Sequence, residues 1–252
     1  MGRRVKRLPL SGSEIVYEWN PWGKSSKMRS NCYAYSINSR ARYLQKSTPG
    51  NHAGMNSSSE DMTNCKVLTK RVLADNPKKV YKEHATSRCK KGFYKIMMFV
   101  APRNRYQSGD FHFYKQHGVI DYKVKRGDTH KSIATFFDIP ERRVRDAKVR
   151  GGHHLHFYHH KDNLVPGHTI RFKANVFSHK QGWATGPLLY DASGKVIKDP
   201  RKANRKYGYN YSKYCCSFCV KNKGLTAKIS PGSSTASTKN SISSSNLFKM
   251  FK

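Results

Sequence analysis

Three side chains have the types and local contexts of a nucleophilic centre. Cys32 opens the run Asn31-Cys32-Tyr33-Ala34-Tyr35-Ser36-Ile37, in which small and apolar residues recur at helical spacing. A thiol at a helix N-terminus has its thiolate favoured by the dipole. A cysteine nucleophile also needs a histidine delivered from elsewhere in the chain. Two histidines stand in strand-like contexts: His112 in Asp-Phe-His-Phe-Tyr-Lys and His179 in Val-Phe-Ser-His-Lys-Gln-Gly. The expected roles are Cys32 as attacking group on a peptide carbonyl, His112 as the base that takes its proton, and His179 as the group that orients His112. Against this, a lone cysteine among aromatics is most often a buried small hydrophobe. A structural, non-enzymatic use of the fold is therefore the leading expectation, with a cysteine peptidase or amidase as the enzymatic alternative.

The elements that must position these groups can be read from the pattern. Phe93 to Val100 and Asp110 to Tyr114 read as strands, the second preceded by the turn-type Gln107-Ser108-Gly109. Asp191 to Gly194 reads as a turn before Val196 and Ile197. Between the two histidines lies a unit of its own. Tyr122 to Val124 predicts a short strand and Thr129 a helix cap, with Ile133, Ala134, Phe136 and Phe137 placed to face a core. Pro140, with Glu141 beside it, predicts the start of a second helix. Leu164-Val165-Pro166-Gly167 is a turn into a strand ending near Phe172. The order is strand, helix, helix, strand.

The run from Tyr122 to Val144, YKVKRGDTHKSIATFFDIPERRV, with LVPGHTIRF from Leu164 to Phe172, resembles a lysin motif (LysM). That resemblance implies binding of N-acetylglucosamine polymers, chitin or peptidoglycan, in a shallow groove. One side would be Gly127, Asp128, Thr129 and His130, and the other Leu164, Val165, Pro166 and Gly167. An insertion from Gly151 to His160 departs from the motif and sits beside the second loop. The flanking segments resemble a poorly characterised family of viral, phage and bacterial proteins. The matching pieces are Asn31 to Ala34, Cys89 to Lys95, His112 to Tyr114, Ser178 to Gly182, Gly194 to Pro200 and Cys216 to Val220, the last with a changed order at Cys216 and Ser217. The order of Cys32 and the histidines also matches NlpC-type cysteine peptidases in outline, without their full motif. Together these imply an α+β fold: a discontinuous Cys/His domain over 14–118 and 175–223, a βααβ LysM-like module over 119–174, a basic arm over 1–13, and a Ser-rich flexible tail over 224–252.

Composition bounds the partners. The 252 residues include 49 Lys and Arg against 15 Asp and Glu, a formal charge of +34. Such a chain repels itself and seeks an anionic surface. The expected partners are N-acetylglucosamine polymers or the acidic protein subunits of a virion, with non-specific, salt-dependent binding of nucleic acid as a further alternative. A non-enzymatic structural protein of a large DNA virus particle is the main competing function, and a nucleic-acid packaging protein the third. No apolar stretch follows the basic start, and the longest apolar run, Ile96 to Ala101, is far short of a membrane span. The expected location is therefore a virion or the host cytoplasm. No cofactor or metal is expected: His153, His154, His156, His159 and His160 read as a solvated loop. Among the six cysteines, Cys65 with Cys89, and a local pairing or metal site among Cys215, Cys216 and Cys219, are the pairings considered.

Overall fold

A computed structural model describes residues 7–20, 22, 30–40, 46–55, 63–151, 158–159 and 164–228. The fold is of the mixed α+β class. Its helices are α1 (Cys32–Ser36), α2 (Cys65–Asp75), α3 (His130–Phe137) and α4 (Arg142–Arg145). Its strands are β1 (Val80–Glu83), β2 (Phe93–Ala101), β3 (Asp110–Lys123), β4 (Lys148–Arg150), β5 (Tyr158–His159), β6 (Thr169–His179), β7 (Lys206–Tyr207), β8 (Tyr209–Asn210) and β9 (Lys213–Lys221). Seven strands form one antiparallel sheet in the order β1-β9-β2-β3-β6-β4-β5, while β7 and β8 form a separate hairpin. β2 is apolar at every position from Ile96 onward because both faces of the sheet are covered. Ile96, Met98 and Val100 pack with α1 and α2 residues such as Tyr33, Leu68 and Val72. Met97, Phe99 and Ala101 pack with Leu8, Phe177, Ile197 and Tyr211.

The two short strands expected around Asp110 and Tyr122 are one continuous strand, β3. Continuity survives because β3 pairs with β6 along most of its length, across a bulge in which Gly118 faces two residues of β6: His117 pairs with Val176, and Val119 with Lys173. The strands shared by the outer body and the inserted unit therefore pass without a break from one to the other. In the unit, Ile120, Val124, Ile170 and Phe172 pack with Ile133, Ala134 and Phe137 of α3 and Val144 of α4. Thr129 caps α3 in a reciprocal capping box with Ser132. The second helix starts later than expected. Pro140 O accepts from Arg143 N at 2.9 Å, but regular helix begins only at Arg142, with Glu141 as the N-cap.

The basic arm is tied down over its described part. Arg7 donates to Asn175 O at 2.7 Å and to Phe137 O and Asp138 O at 2.9 Å, and Leu8 is only 5% exposed. Those carbonyls lie at the C-terminus of α3 and at the β6 bulge, where backbone acceptors lack partners, so a guanidinium ties the chain down. Farther on, Tyr17 N donates to Val119 O at 2.9 Å and Asp121 N donates to Tyr17 O at 2.8 Å. The start of the presumed tail is likewise packed: Ala227 is buried and its N–H donates to Ser39 Oγ at 3.0 Å. Residues 1–6 and 229–252, with the apolar cluster Leu247 to Lys252, lie outside the described residues.

The cysteine expectations are also corrected. Cys65 pairs with Cys215 and Cys89 with Cys219, leaving Cys32 and Cys216 as free, buried thiols. Sheet order is the reason. β9 inserts between β1 and β2, which places Cys219 beside the segment entering β2 and Cys215 beside α2. The crosslinks close separations of 150 and 130 residues. Loops of that size constrain the unfolded chain strongly. Replacing Cys89 and Cys219 together by Ala is expected to lower stability by about 2–5 kcal/mol, measured by urea unfolding with the other crosslink intact. Among the described residues, no helix is long and apolar enough to cross a membrane.

Candidate Cys–His site

α1 begins where the sequence predicts it. Asn31 is its N-cap, accepting from Ala34 N at 3.1 Å, and Cys32 is its first residue. The helix has only five residues, and Asn38 follows in the left-handed region (φ 57°). A helix this short carries little macrodipole, and burial dominates. Cys32 is 4% exposed. Burial, reinforced by the nearby Asp110 carboxylate and opposed by Lys46, pushes its thiol up to about 12. The dipole-stabilised thiolate is thus overturned: Cys32 rests as a neutral thiol.

Its place is nonetheless specific. β3 extends past the end of β6, because His179 pairs with Tyr114 and, among the described residues, no strand on that side pairs with residues 110–113. The Cys32 thiol lies against this free edge. It donates to Phe111 O at 3.7 Å, and the N–H of Phe113 points at the sulfur. Those two residues flank His112. Phe111 and Phe113 face the α1 side of the sheet with Cys32, and His112 between them faces the other. The thiol's hydrogen bond goes to the strand backbone and not to an imidazole.

His112 and His179 do meet. Their Nε2 and Nδ1 atoms are 2.9 Å apart, and His179 Nε2 lies 3.0 Å from Tyr190 O. A carbonyl only accepts, so His179 carries its proton on Nε2 and presents a lone pair at Nδ1. His112 must then donate from Nε2, which leaves its Nδ1 as a lone pair with no hydrogen bond among the described residues. Burial keeps both rings neutral: it lowers His179 to about 4, against the pull of the Tyr190 carbonyl, and holds His112 well below its usual range, helped by its neighbour His179. Comparison with models of known protein families, with curated proteins and with solved structures found no match. The chemistry of this site therefore rests on its own geometry.

The hairpin β7–β8 closes over the pair. Tyr211 lies against His112 with ring centroids 4.7 Å apart, and Tyr207 against His179 at 4.5 Å. Gly208 makes the turn at φ 87°, a conformation that side chains resist. The Tyr211 hydroxyl donates to Asp110 Oδ2 at 2.8 Å, fastening the cover to the start of β3. His112 and His179 are consequently 2% and 0% exposed. Tyr207, Tyr211 and Asp110 were missed in the sequence; the available signal was the alternation Tyr207-Gly-Tyr209-Asn-Tyr211, two-residue spacing around a glycine.

The opposite face holds a second buried relay that sequence reasoning also missed. His117 Nδ1 donates to Ile15 O at 2.7 Å, so its Nε2 accepts from Ser178 Oγ at 2.6 Å. The Tyr35 hydroxyl in turn donates to Ser178 Oγ at 2.6 Å. Burial, then the nearby Lys115, lowers His117 to about 3. Burial likewise lowers Lys115 to about 7, although its ammonium lies 4.1 Å from the Tyr35 ring centroid and 5.3 Å from that of Trp22. The readable sign was the run Lys115-Gln116-His117, three consecutive polar residues inside a strand flanked by apolar segments.

The two loops expected to hold glycan are brought to one end of the inserted unit. Val124 N donates to His168 O at 2.9 Å and Gly167 N donates to Val124 O at 2.8 Å, so the loop carrying Gly127 to His130 abuts Leu164 to Gly167. Asp128 and Thr129 spend their side chains locally. Asp128 Oδ2 accepts from Lys125 N at 2.7 Å and from the Tyr122 hydroxyl at 2.9 Å, and Thr129 Oγ1 accepts from Ser132 N at 3.0 Å. What this end offers a ligand is backbone at Gly127 and Gly167, the half-exposed His130 and Leu164, and the exposed Val165 and Pro166. Of the histidine-rich insertion, Gly151 and the backbone of Tyr158 and His159 are described; His153, His154, His156 and His160 lie outside the described residues.

Proposed function

We propose that the chain is a glycan-attachment protein that carries a thiol hydrolase centre. The inserted LysM-like unit holds an N-acetylglucosamine-type polymer at the end formed by Gly127 to His130 and Leu164 to Gly167. The outer domain, with the order of an NlpC-type centre, acts on amide bonds attached to the same polymer. The observation that carries the catalytic half is the hydrogen-bond chain from His112 through His179 to Tyr190 O, which leaves a lone pair on His112 Nδ1, one residue along β3 from the Phe111 carbonyl that Cys32 Sγ meets from the opposite face of the sheet. The reaction requires the Cys32 side chain to swing around the edge of β3 from Phe111 O to His112 Nδ1, where Sγ gives up its proton and attacks the carbonyl carbon. His112 returns that proton to the leaving amine as the C–N bond breaks, and water then cleaves the acyl-sulfur bond. His179 holds the His112 ring throughout. The strand-helix-helix-strand order and the juxtaposed loops support the attachment half.

A second reading, a non-enzymatic protein of a large virus particle, is favoured by one observation: the thiol is sealed and neutral. One experiment separates them. Chitin and peptidoglycan beads in about 0.5 M salt, where charge is screened within a few Å, are expected to retain the chain. The retained protein is expected to release free amino groups from peptidoglycan, and Cys32→Ala to retain binding but lose release. Loss of all retention in high salt would sink the attachment half. Retention with no release by the wild-type chain would leave only the structural reading.

A further inference from the structure

A cleft of about 490 Å³ opens between α3 and the chain from Asp191 to Ala203, on the flank of the inserted unit. Its lining includes none of the residues of the two groove loops. Phe136 stands on one wall with 44% of its surface exposed, its ring fixed edge-on against Phe137 at 5.0 Å and 90°. Thr135 stands beside it, and Val196 and Ile197 lie across the cleft. This volume falls in the range of small-molecule sites.

The charges of the cleft are unevenly matched. Asp191 accepts from the N–H groups of Ser193, Lys195 and Asn204 at 2.9–3.0 Å. Asp199 is gripped by Arg201 at 2.7 and 3.0 Å, and Asp138 by Lys198 at 2.5 Å. The exposed Lys195 and Lys202 side chains form no ion pair among the described residues. Three carboxylates are thus answered from within the protein and two ammonium groups are not. What remains on offer is positive charge beside a fixed aromatic face and a hydroxyl.

We propose that this cleft is a second saccharide site, which takes an anionic pyranose, carrying carboxylate or sulfate, from a polymer. The C–H face of the sugar lies on Phe136, its anion meets Lys195 and Lys202, and its hydroxyls meet Thr135 and Asp138. The Asp138 carboxylate, its charge answered by Lys198, still accepts from a sugar hydroxyl, and binding of nucleic acid through the same residues is an outcome of the test below. The site goes beyond the groove of the LysM-like unit and does not depend on Cys32. It also gives part of the large positive charge a defined ligand.

The test is titration of the full chain with three probes: a short heparin oligosaccharide (sulfate), an oligogalacturonate (carboxylate) and a single-stranded oligonucleotide. Phe136→Ala leaves charge unchanged and is expected to weaken binding of at least one acidic saccharide about tenfold. Lys195→Gln with Lys202→Gln is expected to do the same, while a control pair across the sheet, Lys66→Gln with Lys82→Gln, changes it less than about twofold. Phe136→Leu, with far-UV circular dichroism, checks that the fold survives. Retention on chitin is expected to be untouched by every variant, which separates this site from the groove. The proposal is overturned if Phe136→Ala has no effect, if the control pair weakens binding as much as the cleft pair, or if the oligonucleotide binds more tightly through the same residues.

Discussion

Between pH 6.5 and about 4 the protein is expected to lose stability at up to about 4 kcal/mol per pH unit. His112, His117 and His179 are all buried, and burial holds each below its ordinary value, with His179 near 4 and His117 near 3. Above pH 6.5 these rings are neutral in both folded and unfolded chains, and their environment is fully compatible with folding. Below it the unfolded chain binds protons that the folded chain refuses. Each such ring costs about 1.4 kcal/mol per pH unit until its folded form titrates. The loss reaches about 10 kcal/mol by pH 4, which unfolds a domain in the lower half of the ordinary range of about 5–15 kcal/mol. Urea unfolding at several pH values, with proton uptake measured directly, checks this. His117→Gln is expected to remove about a third of the slope. A midpoint unchanged between pH 7 and 5 would mean that the rings are charged in the fold, and the proton assignments of both relays would be wrong.

How far the sequence carried this picture depends on the range of each interaction. The capping of α3 by Thr129 and the apolar run of β2 were legible because both depend on near neighbours. The continuity of β3 was not, because it depends on where β6 returns and on one extra β6 residue opposite Gly118. The pairing of Cys65 with Cys215 was hidden for the same reason: only the position of β9 between β1 and β2 brings them together. The candidate site was legible in part. Strand contexts identified His112 and His179, which meet. The helix start identified Cys32, but its electrostatics were misjudged, since burial outweighs a five-residue helix. Sequence could not show that the thiol comes to the edge of β3 while His112 points to the opposite face, because that requires the register.

Cys32 is expected to alkylate at pH 7.5 about a thousandfold more slowly than an ordinary cysteine, with the rate rising tenfold per pH unit up to pH 10. The thiolate is the reacting form, and a thiol pushed up to about 12 supplies about a thousandth of the usual fraction. A rate that is high and flat around neutrality would show a thiolate–imidazolium pair instead and overturn the neutral resting state. Cys216, the other free thiol, is followed separately by peptide mapping. The cover makes the experiment decisive between the two functional readings. Tyr211→Ala removes the ring over His112 and the hydroxyl bonded to Asp110. Labelling of Cys32 is then expected to rise at least about tenfold, because water and reagent reach the edge of β3. If the centre is a hydrolase, part of that gain comes from His112 Nδ1 taking the thiol proton, so adding His112→Ala to Tyr211→Ala abolishes it and restores the steep pH dependence. If the fold is purely structural, the gain is access alone and survives loss of the imidazole. The double variant reads the coupling between sulfur and histidine directly, without requiring the substrate to be known.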